Sequence, residues 1–334
     1  RFPVDPATDD GSDDATALHD KQSYELVGWR SGRIGYRRFF SVSDLAGLRQ
    51  EDPAVFEATH AEVGSWFRDG LVDGVRVDHP DGLTAPAEYL ARLRGVVGPD
   101  SWLVVEKILT AEEPLDITLP VDGTTGYDAL ADLGGVFLDP SGEEPLTRLS
   151  SDVTGNAGDA HWVHEAERTI KADTASTQLA PEVRRLVAAI ARDTGTTFDA
   201  DLAREAVTEV VARMPVYRSD YAPLAGMLPR LLGDVAADRP ELVPALDVVA
   251  AAVAARGEAS GRLQQVAGAV MAKSVEDCMF YRTSRLVSLQ EVGGDPSRFG
   301  RSVPEFHLRL SERARLWPTA MTTLSTHDTK RGED

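Results

Sequence analysis

The stretch GVRVDHPDG at residues 74–82 is an apolar, strand-like run that breaks into charge. Two other stretches have the same form, LVVEKIL at 103–109 and LSTHDTKRGED at 324–334. The first carboxylates at the three breaks are Asp78, Glu106 and Asp328. Because buried parallel strands often end in the functional groups of an enzyme, the pattern predicts a parallel sheet with acids at one edge.

Helical and strand-like patterns alternate around these stretches. The predicted elements are a helix over 52–69 that starts near Pro53, a strand over 71–79, a helix over 86–94, a strand over 101–109, helices over 271–294 and 304–318, and a third strand over 321–328. The order helix, strand, helix, strand is typical of a parallel α/β sheet. We therefore predict an α/β fold.

The character of the chain changes between about 141 and 270. Apolar residues recur at helical spacing in PEVRRLVAAIAR (181–192) and LAREAVTEVVARM (202–214), and VPALDVVAAAVAAR (243–256) is rich in alanine. We expect this part to be a helical insertion without strands of its own.

Composition excludes several classes of partner. The chain has 334 residues and a formal net charge of −19, which argues against binding to nucleic acid or to an anionic membrane. It contains no apolar run of the roughly 20 residues that span a bilayer. The single cysteine, Cys278, rules out an internal disulfide and is typical of a reducing cytoplasm, where we expect the protein to act. A neutral substrate such as a sugar is compatible with these features, and the sequence names no protein partner.

Two motifs that could bind a metal lack the ligand spacing or the neighbouring ligands of a metal site. The acidic opening at 1–15 matches no calcium-binding spacing, and no His or Cys cluster accompanies the pair His327 and Asp328. We expect neither a metal nor another cofactor. A Ser-His-Asp triad is disfavoured because no G-x-S-x-G turn occurs.

The neighbours of two carboxylates suggest different protonation states. Strand alternation places Arg76 and Asp78 on one face, where the guanidinium would keep the carboxylate ionised, as a nucleophile needs. Glu106 ends a strongly apolar run, which favours the protonated form of a general acid, and Lys107 should face the other way. An ordinary ion pair at Asp78 and a solvated strand end at Glu106 remain the alternatives.

Together these segments resemble the α-amylase superfamily and, within it, the maltooligosyltrehalose synthase family. G-x-R-x-D, a following Glu and a later His-Asp occur in the superfamily's order. The narrower resemblance rests on longer blocks that span nearly the whole chain: YRRFFSVSDLAGLRQEDPAVFEATH (36–60), DGVRVDHPDGL (73–83), VEKIL (105–109), VDGTTGYDAL (121–130), VMAKSVEDCMFYR (270–282), EVGGDPSRFG (291–300) and STHDTKRGED (325–334).

The resemblance implies a role for each motif residue. Asp78 would be the nucleophile of a retaining reaction, and Glu106 the general acid and base. Asp328 would bind the distorted sugar. Retention predicts that the Asp78 and Glu106 carboxyl groups lie about 5–5.5 Å apart. The further substrate-binding candidates are Arg76, His79, Lys107, Tyr36, Arg37, Arg38, Tyr127, His327 and Lys330, for several of which ordinary packing is the alternative.

By the same resemblance the fold would be a partial (β/α)8 TIM barrel, with strands about 4 to 7 and a large α-helical insertion. Residues 1–140 would carry the nucleophile and the acid/base, 141–270 the insertion, and 271–334 the return to the barrel with Asp328. The superfamily's Asn-His motif and the first barrel strands do not occur, so we expect the chain to be the middle portion of a longer enzyme.

Three functions remain open. The resemblance implies intramolecular transglucosylation of maltooligosaccharides, which converts the reducing-end α-1,4 bond to an α,α-1,1 bond in trehalose biosynthesis and makes the enzyme an isomerase. The second is an α-amylase-type glucan hydrolase or intermolecular glucanotransferase with the same three acids. The third is an inactive truncated fragment that at most binds oligosaccharide.

Overall fold

The computed structural model of the chain describes residues 2–28, 31–110, 113–282 and 285–331. The strands are β1 (Arg38–Phe39), β2 (Val42–Ala46), β3 (Gly74–Val77), β4 (Trp102–Val105) and β5 (Gly123–Thr124). The helices are α1 (Ala15–His19), α2 (Pro53–Arg68), α3 (Pro86–Val97), α4 (Tyr127–Val136), α5 (Glu143–Thr154), α6 (Ala160–Ser176), α7 (Ala180–Thr194), α8 (Ala200–Arg213), α9 (Met227–Asp238), α10 (Val243–Ala254), α11 (Glu258–Met271) and α12 (Val303–Leu316). The fold is α/β with many helices, as predicted.

The chain divides into two units, residues 1–35 and 36–334. In the described residues of the first unit, one short helix, α1, follows the acidic opening. The Asp14 side chain begins this helix by accepting hydrogen bonds from the N–H groups of Thr16 and Ala17. Every candidate site residue lies in the second unit.

The second unit has two sheets in its described residues, the antiparallel hairpin of β1 and β2 and a sheet of three parallel strands in the order β3, β4, β5. Gly74 pairs with Trp102 and Val77 with Val105, so β3 and β4 end at the same level. Gly74 must lack a side chain, because a Cβ there would lie 2.6 Å from the Trp102 carbonyl oxygen. The strands predicted at 71–79 and 101–109 are therefore confirmed over their central residues.

Two helices cover the sheet through an apolar core. Helix α2 begins at Pro53, as predicted, and the Asp52 side chain caps it by accepting the Ala54 N–H at 2.9 Å. Phe56 of α2 and Leu90 and Leu93 of α3 are buried in one cluster with the apolar side chains of β3 and β4. Because these side chains are buried together, the two helices fix the position of β3 and β4.

The helices α6 to α11 form a second core that is continuous and aliphatic. The stripes predicted in 181–192 and 202–214 supply much of it, including Val183, Leu186 and Val207, which are almost completely buried. Among the described residues no strand occurs between 141 and 270, and no helix is long and apolar enough to span a membrane.

The third predicted strand, 321–328, is wrong: the segment is irregular. Its backbone reaches the sheet through one hydrogen bond, from Met321 N–H to the Thr124 carbonyl at 3.1 Å. The neighbouring strand β5 has only two residues: it begins at Gly123, whose φ is 138°, and Gly126 follows shortly after it with a φ of 101°, both values outside the β region. It therefore offers too short an edge for a continuous ladder.

The helix predicted over 271–294 is also largely wrong. Helix α11 ends at Met271 and continues as one wide π turn, Ala272–Glu276, followed by short 3₁₀ turns at Met279–Tyr281 and Val287–Leu289. The buried Ser274 hydroxyl donates to the Val270 carbonyl within this turn, a bond that competes with regular helix geometry. Residues 283 and 284 of the predicted helix lie outside the described residues.

Candidate active site

The register of β3 and β4 brings the first two acids together. Asp78 follows Val77 and Glu106 follows Val105, and these valines are partners in the parallel ladder. The ladder continues one step further, because the Glu106 N–H donates to the Val77 carbonyl at 2.8 Å. Both carboxylates therefore leave the same carboxyl edge of the sheet.

One guanidinium joins the two acids. Arg76 lies 2.7 Å from Asp78 Oδ1 through Nη1 and 3.0 Å from Glu106 Oε1 through Nη2. The predicted shared face of Arg76 and Asp78 is therefore observed. The side chain of Asp78 is 55% exposed and that of Glu106 only 13%, so the two carboxyl groups meet solvent very differently.

The two acids have opposite pKa shifts. Burial disfavours the charged form of Asp78, but a hydrogen bond from Glu106 and the Arg76 guanidinium outweigh it and lower its pKa. Burial, reinforced by the neighbouring Asp78, raises the pKa of Glu106 to about 8. At neutral pH the pair therefore holds one proton, which lies on Glu106.

Arg76 clamps the two carboxyl groups, because two nitrogens of one guanidinium contact them both. The separation of about 5–5.5 Å that retention implies for Asp78 and Glu106 stays a prediction.

Tyr127 connects the sheet edge to Asp328. This tyrosine is 1% exposed, and its hydroxyl lies 2.7 Å from Thr326 Oγ1 and 3.4 Å from Asp328 Oδ2. Burial raises the pKa of Tyr127 to about 12, and the charges of Asp328 and Glu106 contribute to that shift. The phenol therefore stays neutral near both carboxylates.

Asp328 itself is half exposed and accessible to a ligand. Its Oδ2 lies 3.1 Å from His327 Nε2, and the histidine side chain is 74% exposed. The predicted pair His327 and Asp328 thus forms on a loop rather than on a strand end. The structure brings this loop to Tyr127, which the resemblance had placed among the residues that wall the pocket.

His79, the residue directly after the nucleophile candidate Asp78, has a strained backbone. Its φ of 42° is left-handed, and its N–H donates to Glu106 Oε2 at 3.1 Å. The imidazole packs against Phe40, with ring centroids 4.6 Å apart, and a Cβ at Gly82 would lie 2.5 Å from the ring. Burial lowers the pKa of His79, so the ring is neutral.

A cavity of about 320 Å³ lies beside Asp78 and His79. Arg37, Arg38 and Phe40 line it from the hairpin side. Arg38 is held by Glu182 through two 2.8 Å hydrogen bonds, whereas Arg37 donates to the Leu48 carbonyl and Thr84. These arginines thus line the cavity with guanidiniums that are already oriented by the protein.

Tyr36 and Lys330 have other described partners. The Tyr36 hydroxyl donates to the Ser43 carbonyl at 2.6 Å, within the β1–β2 hairpin. The Lys330 ammonium lies 3.3 Å from Asp277 Oδ1 and over the ring of Tyr281. The substrate-binding roles of Tyr36 and Lys330 stay predictions.

Lys107 is turned away from the site, as strand alternation requires. Its ammonium is almost completely buried, 3.0 Å from Asp81 Oδ2 and 2.7 Å from Glu113 Oε1. The two carboxylates outweigh burial and raise the pKa of Lys107. The substrate-binding assignment of Lys107 is therefore replaced by a structural one.

Replacing Lys107 by Met should destabilise the chain by about 3–5 kcal/mol, because two buried carboxylates would lose their counter-ion. Urea unfolding followed by circular dichroism measures the change. The matched control is Lys21→Met, which removes the exposed ion pair with Asp10 and should cost no more than about 1 kcal/mol. Equal stabilities of the two variants would contradict the structural assignment of Lys107.

Sequence reasoning missed the groups that hold the turn after Asp78. Tyr221 donates to Asp81 Oδ1 at 2.6 Å, and the fully buried Arg218 donates to the carbonyls of Asp81 and Leu83 at 2.9 and 2.6 Å. These residues lie between α8 and α9, so the helical part fixes the turn that carries the acid. In the sequence, the one signal for this buried turn was the acidic motif DHPDG at 78–82.

The described residues contain no group of three or more His, Cys, Asp and Glu side chains arranged to hold a metal ion. No protein-family model matches the chain.

Comparison with known proteins gives matches over the whole chain. A Mycobacterium tuberculosis protein named "Putative maltooligosyl trehalose synthase" is 55% identical over 333 residues, which are 100% of this chain and 43% of that protein. The structure of maltooligosyltrehalose synthase from Arthrobacter ramosus has a TM-score of 0.86 at 42% identity, covering 100% of this chain and 43% of that one. A hypothetical maltooligosyl trehalose synthase from Sulfolobus tokodaii has a TM-score of 0.76 at 31% identity, covering 98% of this chain and 42% of that one.

The chain thus spans less than half the length of these relatives, while nearly every one of its own residues aligns with them. In sequence and in fold, the whole chain is similar to a segment of maltooligosyltrehalose synthases.

Proposed function

We propose that the complete protein carrying this chain converts the reducing-end α-1,4 bond of maltooligosaccharides to an α,α-1,1 bond, a step of trehalose biosynthesis. The observation that carries the proposal is the bridge by Arg76 between Asp78 and Glu106, whose pKa values shift in opposite directions. An ionised carboxylate beside a protonated one is the pair that a retaining double displacement requires.

In the first step Asp78 attacks the anomeric carbon of the penultimate glucose and forms a glycosyl ester. The proton of Glu106 goes to the leaving glycosidic oxygen, which releases the terminal glucose. In the second step Glu106 takes the proton of the anomeric hydroxyl of that glucose, whose oxygen displaces Asp78. Atoms and protons balance, so the net reaction is an isomerisation.

The loop at 326–328 supplies the groups for the distorted sugar. Asp328 is 45% exposed, so its carboxylate can accept hydrogen bonds from sugar hydroxyls, and the adjacent His327 can bind the same ring. Tyr127 lies behind Asp328 and orients it through its hydroxyl. Hydrogen bonds that strengthen as the ring flattens would favour the oxocarbenium-like transition state.

The cavity beside Asp78 is the place where the released glucose would turn. Its walls combine the aromatic faces of Phe39 and Phe40 with the oriented guanidiniums of Arg37 and Arg38. Aromatic faces pack on sugar rings, and arginine donates to hydroxyls. Retention of glucose here, away from water, separates isomerisation from hydrolysis.

The parallel strands β3 to β5, with their covering helices, support the proposal that this sheet is strands 4 to 6 of a (β/α)8 barrel whose remainder lies in the complete protein. The division at 141 and 270 also remains a proposal. It is supported by the position of β3 to β5 before 141 and of the helical core formed by α6 to α11 after it.

Incubation of maltopentaose with the complete protein tests the reaction. We expect reducing ends to disappear without matching release of glucose, and the product should carry a trehalosyl end. Glucose and shorter maltodextrins as main products would instead support the α-amylase-type hydrolase or glucanotransferase. The isolated 334-residue chain, assayed beside the complete protein, tests whether it is an inactive fragment that at most binds oligosaccharide.

A further inference from the structure

The loop that carries Asp328 is held without a strand. Two local hydrogen bonds close a turn between Thr326 and Thr329, and the Asp328 N–H donates to Thr326 Oγ1 at 3.1 Å. A turn of this kind orders its own residues but does not fix where the loop lies relative to the sheet. The Tyr127 hydroxyl reaches Thr326 and Asp328 from the sheet edge, and a second contact fixes the backbone after Asp328.

Glu291 makes this contact. Its Oε1 accepts the Lys330 N–H at 2.8 Å and its Oε2 accepts the Arg331 N–H at 3.3 Å. Oε1 also accepts the N–H of Val292 at 2.8 Å, so all three described hydrogen bonds of this carboxylate come from backbone groups. Glu291 is 6% exposed, and charge-assisted bonds to backbone N–H groups are strong where water is excluded.

The same turn also packs on Tyr127. Gly293 has a φ of 79°, and a Cβ there would lie 2.8 Å from the Tyr127 carbonyl oxygen. Val292 is buried in one cluster with the Tyr127 ring. The segment EVGG at 291–294 therefore contacts the backbone of Tyr127 on one side and the backbone after Asp328 on the other.

We propose that Glu291 is a positioning residue that fixes Asp328 against Tyr127 in the geometry needed for the transition state. This rests on the proposed function, in which Asp328 binds the distorted sugar. The described bonds of Glu291 all come from backbone N–H groups, two of them in the loop, so it acts on Asp328 through the loop backbone. A shift of about 1 Å in such a group can cost about 10²-fold in rate.

The test uses Glu291→Gln in the complete protein. The amide keeps one acceptor oxygen and loses the charge, so we expect kcat to fall by about 10²-fold while KM for maltopentaose changes by less than about threefold. Hydrogen exchange of a peptide covering 325–331 should become faster. In the background of Asp328→Asn the same change should cause little further loss, because it acts through Asp328.

The matched control is Asp193→Asn. The Asp193 carboxylate also accepts a backbone N–H, that of Ala259 at 2.7 Å, and this bond lies at the start of a helix in the helical core. This variant should leave kcat unchanged. If Glu291→Gln unfolds the protein, Arg331→Pro decides, because it deletes one donor N–H and leaves Glu291 in place; kcat should again fall.

The possible outcomes separate the two proposals. Wild-type activity of Asp328→Asn would overturn the role of Asp328 in the proposed function. Loss of activity in Asp328→Asn, together with wild-type kcat and unchanged exchange in the folded Glu291 or Arg331 variant, would overturn the positioning role alone. Equal losses in the Asp193 control would also overturn it, since the effect would then be one of general stability.

Discussion

Asp78→Asn should reduce turnover of maltopentaose by at least about 10⁴-fold in the complete protein, with the fold intact. The amide has the shape of the carboxylate but cannot form the glycosyl ester. Its loss of charge has a second effect, because the Asp78 charge helps to raise the pKa of Glu106. In the variant the pKa of Glu106 should therefore fall.

The matched control for Asp78→Asn is Asp73→Asn, the same chemical change just before the other end of β3. Rates of the two variants are compared with wild type at one pH, and circular dichroism and the melting temperature check the fold. Asp73→Asn should retain wild-type turnover. Near-normal turnover in Asp78→Asn would remove Asp78 from the nucleophile position.

Glu106→Gln should have the second largest effect, a loss of about 10²–10⁴-fold with maltooligosaccharides. The glutamine cannot protonate the leaving oxygen. A maltosyl fluoride, whose leaving group needs no proton, should lose much less in its first step, measured as fluoride release. Glu88→Gln, an exposed change in the first turn of α3, is the control and should leave both rates unchanged.

The pH profile gives an independent check on Glu106. Its acid form is the active one, and its pKa is about 8, so kcat/KM should fall as the pH rises through about 8. The pKa of Asp78 is lowered, so its active, ionised form persists into acid and sets no limit near neutrality. An alkaline limb that is identical in wild type and Glu106→Gln would contradict the assignment of Glu106 as the acid.

Much of the sheet edge could be predicted because strand periodicity is local. Alternation placed Arg76 beside Asp78, and the apolar run before Glu106 indicated a buried acid. The parallel register then brings the two acids together, which follows from strand order alone once both strands pair. The clamp by Arg76 was not predictable, because it depends on how one side chain reaches both carboxyl groups.

On the face of β4 opposite to Glu106, strand alternation predicted the direction of a side chain but not its partners. Alternation indicated that Lys107 faces away from Glu106, but not what would pack against it. Its partners, Asp81 and Glu113, come from two loops, and Tyr221 and Arg218 reach the Asp81 turn from the helical part. A residue within a recognised motif was therefore assigned to the substrate although it serves the fold.

The sequence by itself determined that three acids follow apolar runs, that two of those runs are strands, and that the chain resembles the maltooligosyltrehalose synthase family. Only the tertiary structure decided that one guanidinium joins the two acids, that Asp328 lies on a loop rather than a strand, and that Glu291 contacts the backbone of that loop from 39 residues away. The physical reason is one of range. Periodicity is set by the backbone of a few consecutive residues, whereas a pKa or a loop position is set by groups that only folding brings together.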